Sequence, residues 1–227
     1  MSIGLNIGEQ KSTPERIAEG LRAAILRGDV APGAPLREAD VAAEAGASRN
    51  TVREAMRLLA REGLVTHSAF RSVTVTELSE ADVVDIFRAR LVFELAGADA
   101  MPDATPEQVQ AIADAAAAFD EAVAREDWQA AFERDIDLHA GLVATAGSAR
   151  LDATILNLLR ELRLAYGSLR GMETEARPED RQEHHELAAL VAAGDRRGCR
   201  RLIERHLARS QELLLELMRR RKAEAGT

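Results

Sequence analysis

Three histidines and one aspartate in the second half of the chain are spaced so that they could bind a metal ion. Asp135 and His139 are four residues apart, so both side chains project from one face if the segment is helical. That face is otherwise apolar, and His184 and His206 also share their faces with aliphatic residues. Burying one carboxylate and three imidazoles together is costly unless a partner such as a divalent cation pairs them. These residue types suit Zn, Ni, Co, Fe or Mn.

From residue types and spacing alone, the same four residues could instead be buried side chains that hydrogen-bond within the protein and bind no metal. A single inward-facing histidine usually finds a carbonyl partner, and Asp135 could simply hydrogen-bond His139 one turn away. Two other histidines fit surface positions better. His185 lies on a different face from His184 and is expected to be solvated, and His67 is expected to be a polar surface residue or a phosphate contact.

The segment 48–65 indicates a second kind of chemistry, the recognition of DNA. Ser48 is a good helix N-cap, and apolar residues recur at helical spacing after it. Arg49, Asn50 and Arg53 fall on the opposite side of this helix, near its start. A recognition helix contacts base edges and phosphates with that end when it enters the major groove. The segment therefore predicts the second helix of a helix-turn-helix.

The segments on either side of this helix complete a winged helix-turn-helix. The predicted order is a helix from Thr13 to about Gly28, a Pro- and Gly-rich loop over 29–36, a short helix over 39–45, a turn at Gly46, the recognition helix, and a hairpin formed by Leu64–Thr66 and Val73–Val75. Apolar residues recur at helical spacing up to the recognition helix and are followed by runs of β-branched residues, which supports this order.

From Ser79 onward the pattern is helical, with capping signatures at Ser79 and Thr105. Helices are predicted at about 80–100, 106–125, 127–146, 149–170, 179–193 and 195–221. We therefore predict a mainly α fold. A winged helix-turn-helix DNA-binding domain occupies residues 1–77, and an all-helical bundle occupies 78–227.

Composition and charge narrow the class of protein. No run approaches the roughly 18–20 apolar residues of a membrane helix, the N-terminus lacks a signal-peptide pattern, and Cys199 is the single cysteine, so a cytoplasmic protein is expected. The net charge of −8 is uneven, because residues 1–75 hold 10 Lys/Arg against 9 Asp/Glu and the excess of acid lies beyond them. Affinity for DNA must therefore come from well-placed arginines and from dimerisation.

Several motifs resemble those of a known family. The N-terminal part resembles the GntR family of bacterial transcription regulators in ILRGDVAPGAPLRE (25–38), SRNTVREAMRLLAREGLV (48–65) and a wing that ends in RSVTV. The C-terminal part resembles the helical effector domain of the FadR-type branch, called FCD, in RARLVFELAGA (88–98), RDIDLHAGLV (134–143), EHHELAALVAAGD (183–195) and RRLIERHL (200–207). Two departures are that Ser72, not glycine, follows Arg71, and that Gly147-Ser148-Ala149 replaces the usual Ser-Gly-Asn.

The resemblance implies particular site residues. It places the metal ligands at Asp135, His139, His184 and His206, and it implies that the helical domain, 78–227, binds metal and effector and forms the dimer. Among the cations that suit these ligands, Zn is the favoured one. The candidate DNA-binding residues are Arg37, Ser48, Arg49, Asn50, Thr51, Arg53 and Arg71. Arg37 and Arg71 are expected to act mainly on phosphates.

Two further residues are candidates for effector binding. Arg90 could pair with a carboxylate of the effector, or it could form a surface ion pair with Glu94 one turn away. Tyr166 lies on an apolar stripe and is expected in the core, with its hydroxyl a candidate for a polar pocket.

These observations favour a ligand-responsive transcription regulator, with a repressor preferred to an activator. A homodimer would bind double-stranded DNA at a palindromic operator, and the helical domain would bind a small organic acid at the metal. One alternative is a metal-dependent hydrolase or oxygenase fused to a DNA-binding module. The faces that carry the ligands show no evident general base, so the chain is not expected to be an enzyme. A direct metal sensor is the other alternative.

Overall fold

The structure, a computed structural model, describes residues 11–67, 73–168 and 178–225. The chain divides into two compact units, Met1–Thr76 and Glu77–Thr227.

The first unit is a winged helix-turn-helix. Its elements are α1 (Thr13–Arg27), β1 (Pro35–Leu36), α2 (Glu38–Ala45), α3 (Arg49–Arg61), β2 (Val65–His67) and β3 (Val73–Val75). The strands form an antiparallel sheet in the order β1-β3-β2. The predicted hairpin is confirmed, but the prediction of a loop throughout 29–36 is wrong, because Pro35 and Leu36 pair with β3. Two residues are too few to show a periodicity, so only the partner strand defines β1.

Local sequence explains how α2 and α3 meet. Gly46 ends α2 with a φ of 59°, a backbone conformation that glycine adopts without steric cost. Ser48 then caps α3 by accepting a hydrogen bond from the backbone N–H of Thr51. Val52 and Met56 are fully buried against the rest of the unit. The same helix therefore presents its polar side, including the arginines near its start, to solvent.

The second unit is all-helical. Its elements are α4 (Glu80–Ala100), a 3-10 turn (Met101–Asp103), α5 (Pro106–Ala124), α6 (Trp128–Ala144), α7 (Ala149–Ser168), α8 (Pro178–Ala193) and α9 (Arg196–Ala225). Capping boxes begin α4 at Ser79 and α5 at Thr105, as predicted. The helices fall where the sequence predicted them, and the predicted end of α7 at residue 170 lies outside the described residues. The mainly α fold is confirmed.

A close approach between α4 and α6 positions the interior of this unit. A Cβ atom added at Gly97 would lie 2.3 Å from the backbone oxygen of Leu142, so only glycine fits there. Thr145 strengthens the crossing by donating a hydrogen bond to the backbone oxygen of Gly97 at 2.8 Å. One turn before these contacts lie Glu94 on α4 and His139 on α6. The crossing therefore brings these two polar side chains together inside an apolar core.

No helix among the described residues is long and apolar enough to cross a membrane.

Candidate metal centre and DNA interface

Asp135, His139, His184 and His206 converge in the second unit. They come from α6, α8 and α9, and each offers one ligand atom such that all four atoms lie within 4.8 Å of one another. The three histidines are buried, while the side chain of Asp135 is 23% exposed. The structure thus brings together the four residues that the sequence singled out, with the carboxylate on the side that solvent reaches.

The unbonded ring nitrogens in this cluster fit a cation. Within the described parts of the chain, Nε2 of His139 and both ring nitrogens of His184 have no hydrogen-bond partner although they are buried. Oδ1 of Asp135 lies 3.2 Å from Nε2 of His184 and 3.5 Å from Nε2 of His139. Two ligands at about 2.0–2.1 Å from a tetrahedral Zn ion are separated by roughly 3.3 Å. Unsatisfied buried nitrogens at this spacing are what a metal site requires and what an ordinary core avoids.

Two buried glutamates support the imidazoles, a role that the sequence analysis assigned to neither of them. Nδ1 of His139 lies 2.6 Å from Oε2 of Glu94, and Nδ1 of His206 lies 2.8 Å from Oε2 of Glu183. Each contact orients a ring and leaves its Nε2 for a metal, as carboxylates commonly do behind metal-bound histidines. Each glutamate also accepts a hydrogen bond from an arginine, Glu94 from Arg90 and Glu183 from Arg209.

The charges of these groups shift their pKa values. Burial alone would lower the pKa of His139, but the negative charge of Glu94 outweighs it and raises the pKa to about 9. Burial likewise opposes ionisation of Glu94, yet the positive charges of His139 and Arg90 lower its pKa to about 2. Burial also opposes ionisation of Glu183. The hydrogen bond from His206 and the positive charge of Arg209 nevertheless lower the pKa of Glu183 to about 2. The two glutamates are therefore carboxylates at neutral pH.

Arg90 is buried rather than on the surface, so the expectation of a surface ion pair was wrong in that respect. Its Nε donates to Oε1 of Glu94 at 2.9 Å, and both side chains are at most 3% exposed. Among the described residues, Nη2 of Arg90 finds no hydrogen-bond partner. A buried guanidinium nitrogen without an acceptor is costly unless an anion reaches it. Arg90 thus keeps one donor for a ligand while its other edge is fixed by Glu94.

Tyr166 lies beside the same cluster, on α7. Its ring packs against Phe132, with the ring centroids 5.1 Å apart. Burial, together with the negative charge of Asp135, raises the pKa of the Tyr166 phenol, so the hydroxyl stays protonated and can act as a donor.

A neighbouring acidic group is already neutralised. Asp180, Glu183 and His206 also come close enough to hold a cation, but Arg209 donates to both carboxylates. His185 is exposed, as expected for a residue on another face, and its Nε2 lies 2.8 Å from Oδ2 of Asp120.

The predicted DNA-contacting side chains lie at the exposed start of α3. Arg49, Asn50 and Arg53 are exposed there, and Thr51 shares a hydrogen bond with the capping hydroxyl of Ser48. Arg37 is exposed at the N-cap of α2. Arg71 lies outside the described residues, so its predicted role stays a prediction. The structure thus groups the candidates of α2 and α3 on one exposed part of the unit.

One residue at this surface was missed by the sequence analysis. Glu38, the first residue of α2, accepts two hydrogen bonds from the guanidinium of Arg53, at 2.8 and 2.7 Å. The hydrogen bond that Arg53 donates to Glu38 raises the pKa of Arg53 above its ordinary value. No local signal identifies this pair, because the two residues lie 15 positions apart on different helices.

The two units match two different families of known proteins. Residues 13–75 match the model of bacterial regulatory proteins of the gntR family, and residues 85–209 match that of the FCD domain. A structure described as a putative GntR transcriptional regulator from Rhodococcus sp. RHA1 aligns with a TM-score of 0.80 and 31% identity, covering 91% of this chain and 99% of that one. McbR/YncC of E. coli aligns with a TM-score of 0.77 at 22% identity, covering 91% and 99%, a likeness of fold alone.

Relatives found by sequence agree. YdhC of Bacillus subtilis, an uncharacterised HTH-type transcriptional regulator, is 32% identical over 88 residues, which span 39% of each chain. An uncharacterised HTH-type regulator from the TAR-I ttuE-ttuC' region of Agrobacterium vitis is 34% identical over 61% of this chain and 85% of its own. The gluconate operon transcriptional repressor of Bacillus subtilis is 36% identical, but only over 37% of this chain and 34% of that protein.

The winged helix-turn-helix and the matched families define a DNA-binding transcription regulator, not an enzyme. More specifically, the chain belongs to the GntR family of bacterial regulators and carries an FCD domain in its second unit.

Proposed function

We propose that this regulator responds to a small organic acid that binds at a divalent cation in its second unit. The cation would be held by Asp135, His139, His184 and His206. The observation that carries the proposal is the set of buried ring nitrogens of His139 and His184 that have no hydrogen-bond partner among the described residues. A bound cation removes that cost for Nε2 of His139 and for one ring nitrogen of His184. Zn is the favoured ion, with Ni, Co, Fe and Mn also compatible with these ligand types.

Two side chains near the cluster support a carboxylate effector. Arg90 has a buried Nη2 without an acceptor, and a carboxylate would supply one through a charge-assisted hydrogen bond. The protonated hydroxyl of Tyr166 can donate to a second oxygen of the same molecule. A cation bound at this site would supply Lewis acidity and a positive charge, which attract the carboxylate of the effector.

For the first unit we propose operator binding through Arg37, Ser48, Arg49, Asn50, Thr51, Arg53 and Arg71. One recognition helix contacts too few base pairs to select a site in a genome, so a homodimer on a palindromic operator is proposed. We assign DNA binding to residues 1–77, and effector binding and dimerisation to 78–227. Repression is favoured because two relatives that match 37% and 31% of this chain are named operon repressors, for gluconate and, as a probable assignment, for D-xylose utilisation. We also propose a cytoplasmic location, because the DNA of a bacterial cell lies in the cytoplasm.

The experiment that tests this function combines metal analysis with operator binding. Purified protein is analysed for bound metal, stripped with chelator, and reloaded with Zn. Operator affinity is then measured with and without a panel of small carboxylic acids. The proposal expects about one metal per chain and a response to acid only in the loaded protein. A response to Zn alone would instead indicate a direct metal sensor. Absence of bound metal, with no effect of chelator on melting or on the acid response, would refute the metal site.

A further inference from the structure

An ion pair joins the two helices of the helix-turn-helix. Glu38 begins α2 and Arg53 lies in the second turn of α3. Nε of Arg53 donates to Oε1 of Glu38 at 2.8 Å, and Nη2 donates to Oε2 at 2.7 Å. Both carboxylate oxygens are therefore engaged, in a bidentate pair of defined geometry.

This pairing occupies only one edge of the guanidinium. The Nε–Nη2 edge faces Glu38, which leaves the Nη1–Nη2 edge for another planar partner. Nη1 has a long contact of 3.5 Å with Oδ1 of Asn50, and the Arg53 side chain is 46% exposed. The O6 and N7 atoms of guanine accept a bidentate pair of hydrogen bonds from an arginine edge in the major groove. One edge of the Arg53 guanidinium is thus held by Glu38, and the other edge is available to hydrogen-bond a base.

We propose that Glu38 is a positioning residue that gives Arg53 its preference for one base, an inference that rests on the proposed base contact of Arg53. An arginine held in a single orientation loses less rotamer entropy when it binds, and it tolerates a misplaced acceptor poorly. Both effects increase discrimination between bases. A free arginine at the same position could turn toward the nearest phosphate, which carries no sequence information.

The negative charge of Glu38 makes this role distinguishable from a simple electrostatic one. A carboxylate near the DNA-facing end of α3 repels phosphates, so its removal should strengthen binding to any duplex. If Glu38 also positions Arg53, its removal should weaken the preference for the operator at the same time. Affinity for unrelated DNA and specificity therefore move in opposite directions.

The test uses the full-length protein and duplexes selected by it from a random pool. The selection is repeated with Glu38→Gln and with Glu54→Gln as the matched control. Glu54 is an acidic residue of the same α3 that pairs with Arg57 instead. For Glu38→Gln we expect the ratio of operator affinity to scrambled-duplex affinity to fall about 5- to 20-fold and one position in each half-site to lose its base preference. The Glu54→Gln protein should keep that preference.

A second variant, Arg53→Lys, distinguishes a loss of positioning from a folding defect. Arg53→Lys keeps the positive charge but lacks the planar edge, so it should lose preference at the same position. Glu38→Gln should then cause no further loss in the Arg53→Lys protein, because the two residues act as one unit. Circular dichroism and melting confirm that each variant is folded.

Three results would overturn the inference. In the first, Glu38→Gln strengthens operator and scrambled duplex equally and leaves every position unchanged. In the second, the Glu38→Gln and Arg53→Lys effects add fully. In the third, Arg53→Ala itself leaves base preference intact, and then the proposed base contact of Arg53 fails as well. If Arg53→Ala relaxes one position and Glu38→Gln does not, only the positioning role of Glu38 is rejected.

Discussion

Nδ1 of His139 lies 2.6 Å from Oε2 of Glu94, and the two side chains belong to helices that cross at Gly97. The carboxylate is fully buried and is held on its other oxygen by Arg90. This contact fixes the orientation of the imidazole and directs Nε2 toward Asp135. It links a candidate metal ligand to a candidate effector contact through one carboxylate.

Glu94→Gln tests that link. The amide has the shape of the carboxylate but not its charge, so we expect metal affinity to fall by about 10- to 100-fold, as for other carboxylates behind metal-bound histidines. Glu183→Gln should have a similar effect through His206. Glu161→Gln, at a half-buried glutamate of α7, is the control. Competition with a chelator measures the affinities. Equal affinity in all the folded proteins would contradict a supporting role for the buried glutamates.

His184→Ala should separate the two functions of the chain. We expect metal to bind far more weakly and the stabilisation produced by added Zn to disappear, while DNA affinity survives and the response to acid is lost. The ring of His184 also packs on Phe119 with centroids 4.5 Å apart, so some metal-independent loss of stability is expected. The increase in melting temperature on adding Zn is therefore the quantity to compare. His185→Ala, at the exposed neighbour, should keep the full increase.

Arg49 and Arg53 should account for most of the sequence preference. Arg53→Ala is expected to cost about 1–3 kcal/mol per half-site, and the Arg49→Ala, Arg53→Ala double variant should fail to protect the operator in footprinting. Arg37→Ala should instead weaken binding to all duplexes and make the dependence of affinity on salt less steep. Operator protection that persists in the double variant would refute the assignment.

Gly97→Ala should disrupt the crossing of α4 and α6. A Cβ there meets the backbone of Leu142, which cannot move aside as a flexible side chain could. We expect the free energy of unfolding of the second unit to fall by about 1–3 kcal/mol or more, with weaker metal binding. Gly20→Ala on α1 is the control. Its Cβ would meet nothing within 4 Å, so a gain of about 0.5–1 kcal/mol is expected from helix propensity. Thermal and denaturant unfolding measure both.

Asp120→Asn should show a stability effect that depends on pH. Burial opposes ionisation of Asp120, but its hydrogen bonds with Arg181 and His185 lower its pKa below the ordinary value of 3.8. A carboxylate with a lowered pKa stabilises the folded state above its unfolded pKa and loses that contribution as the pH falls through the folded pKa. The variant should therefore be less stable by roughly 0.5–1 kcal/mol at pH 7, with the difference shrinking below about pH 4.

Asp114→Asn on the same helix provides the control for that comparison, because Asp114 bonds only the amide of Gln110 among the contacts described. Denaturant unfolding at a series of pH values measures both variants. A difference for Asp120→Asn that does not change with pH would show that the pair does not act through charge.

Elements with local signals were predictable from the sequence. Ser79 with Asp82 and Thr105 with Gln108 fix the starts of α4 and α5 through contacts three residues apart. The four candidate ligands could be named because histidine on an apolar helix face is conspicuous. Strand β1 could not be predicted, because its two residues are extended only through pairing with β3.

The partners of the candidate sites were not predictable for a related reason. Glu94 and His139 are 45 positions apart, and Glu183 and His206 are 23 apart. Their pairing depends on how the helices cross, which the pattern of one helix does not contain. Glutamate is also common on helix surfaces, so the spacing of Arg90 and Glu94 indicated an ion pair on the surface and not one in the core.

The convergence of ligands from α6, α8 and α9 has a consequence for how the second unit unfolds. A cation bound to Asp135, His139, His184 and His206 ties together segments that are far apart in the chain, as a disulfide does in a secreted protein. Cys199 is the single cysteine, so no internal disulfide can do the same. The bound ion would then be a reversible cross-link, so that the three helices unfold together or not at all. In a cell that lacks the metal, the bundle would unfold more often and be degraded more readily by proteases.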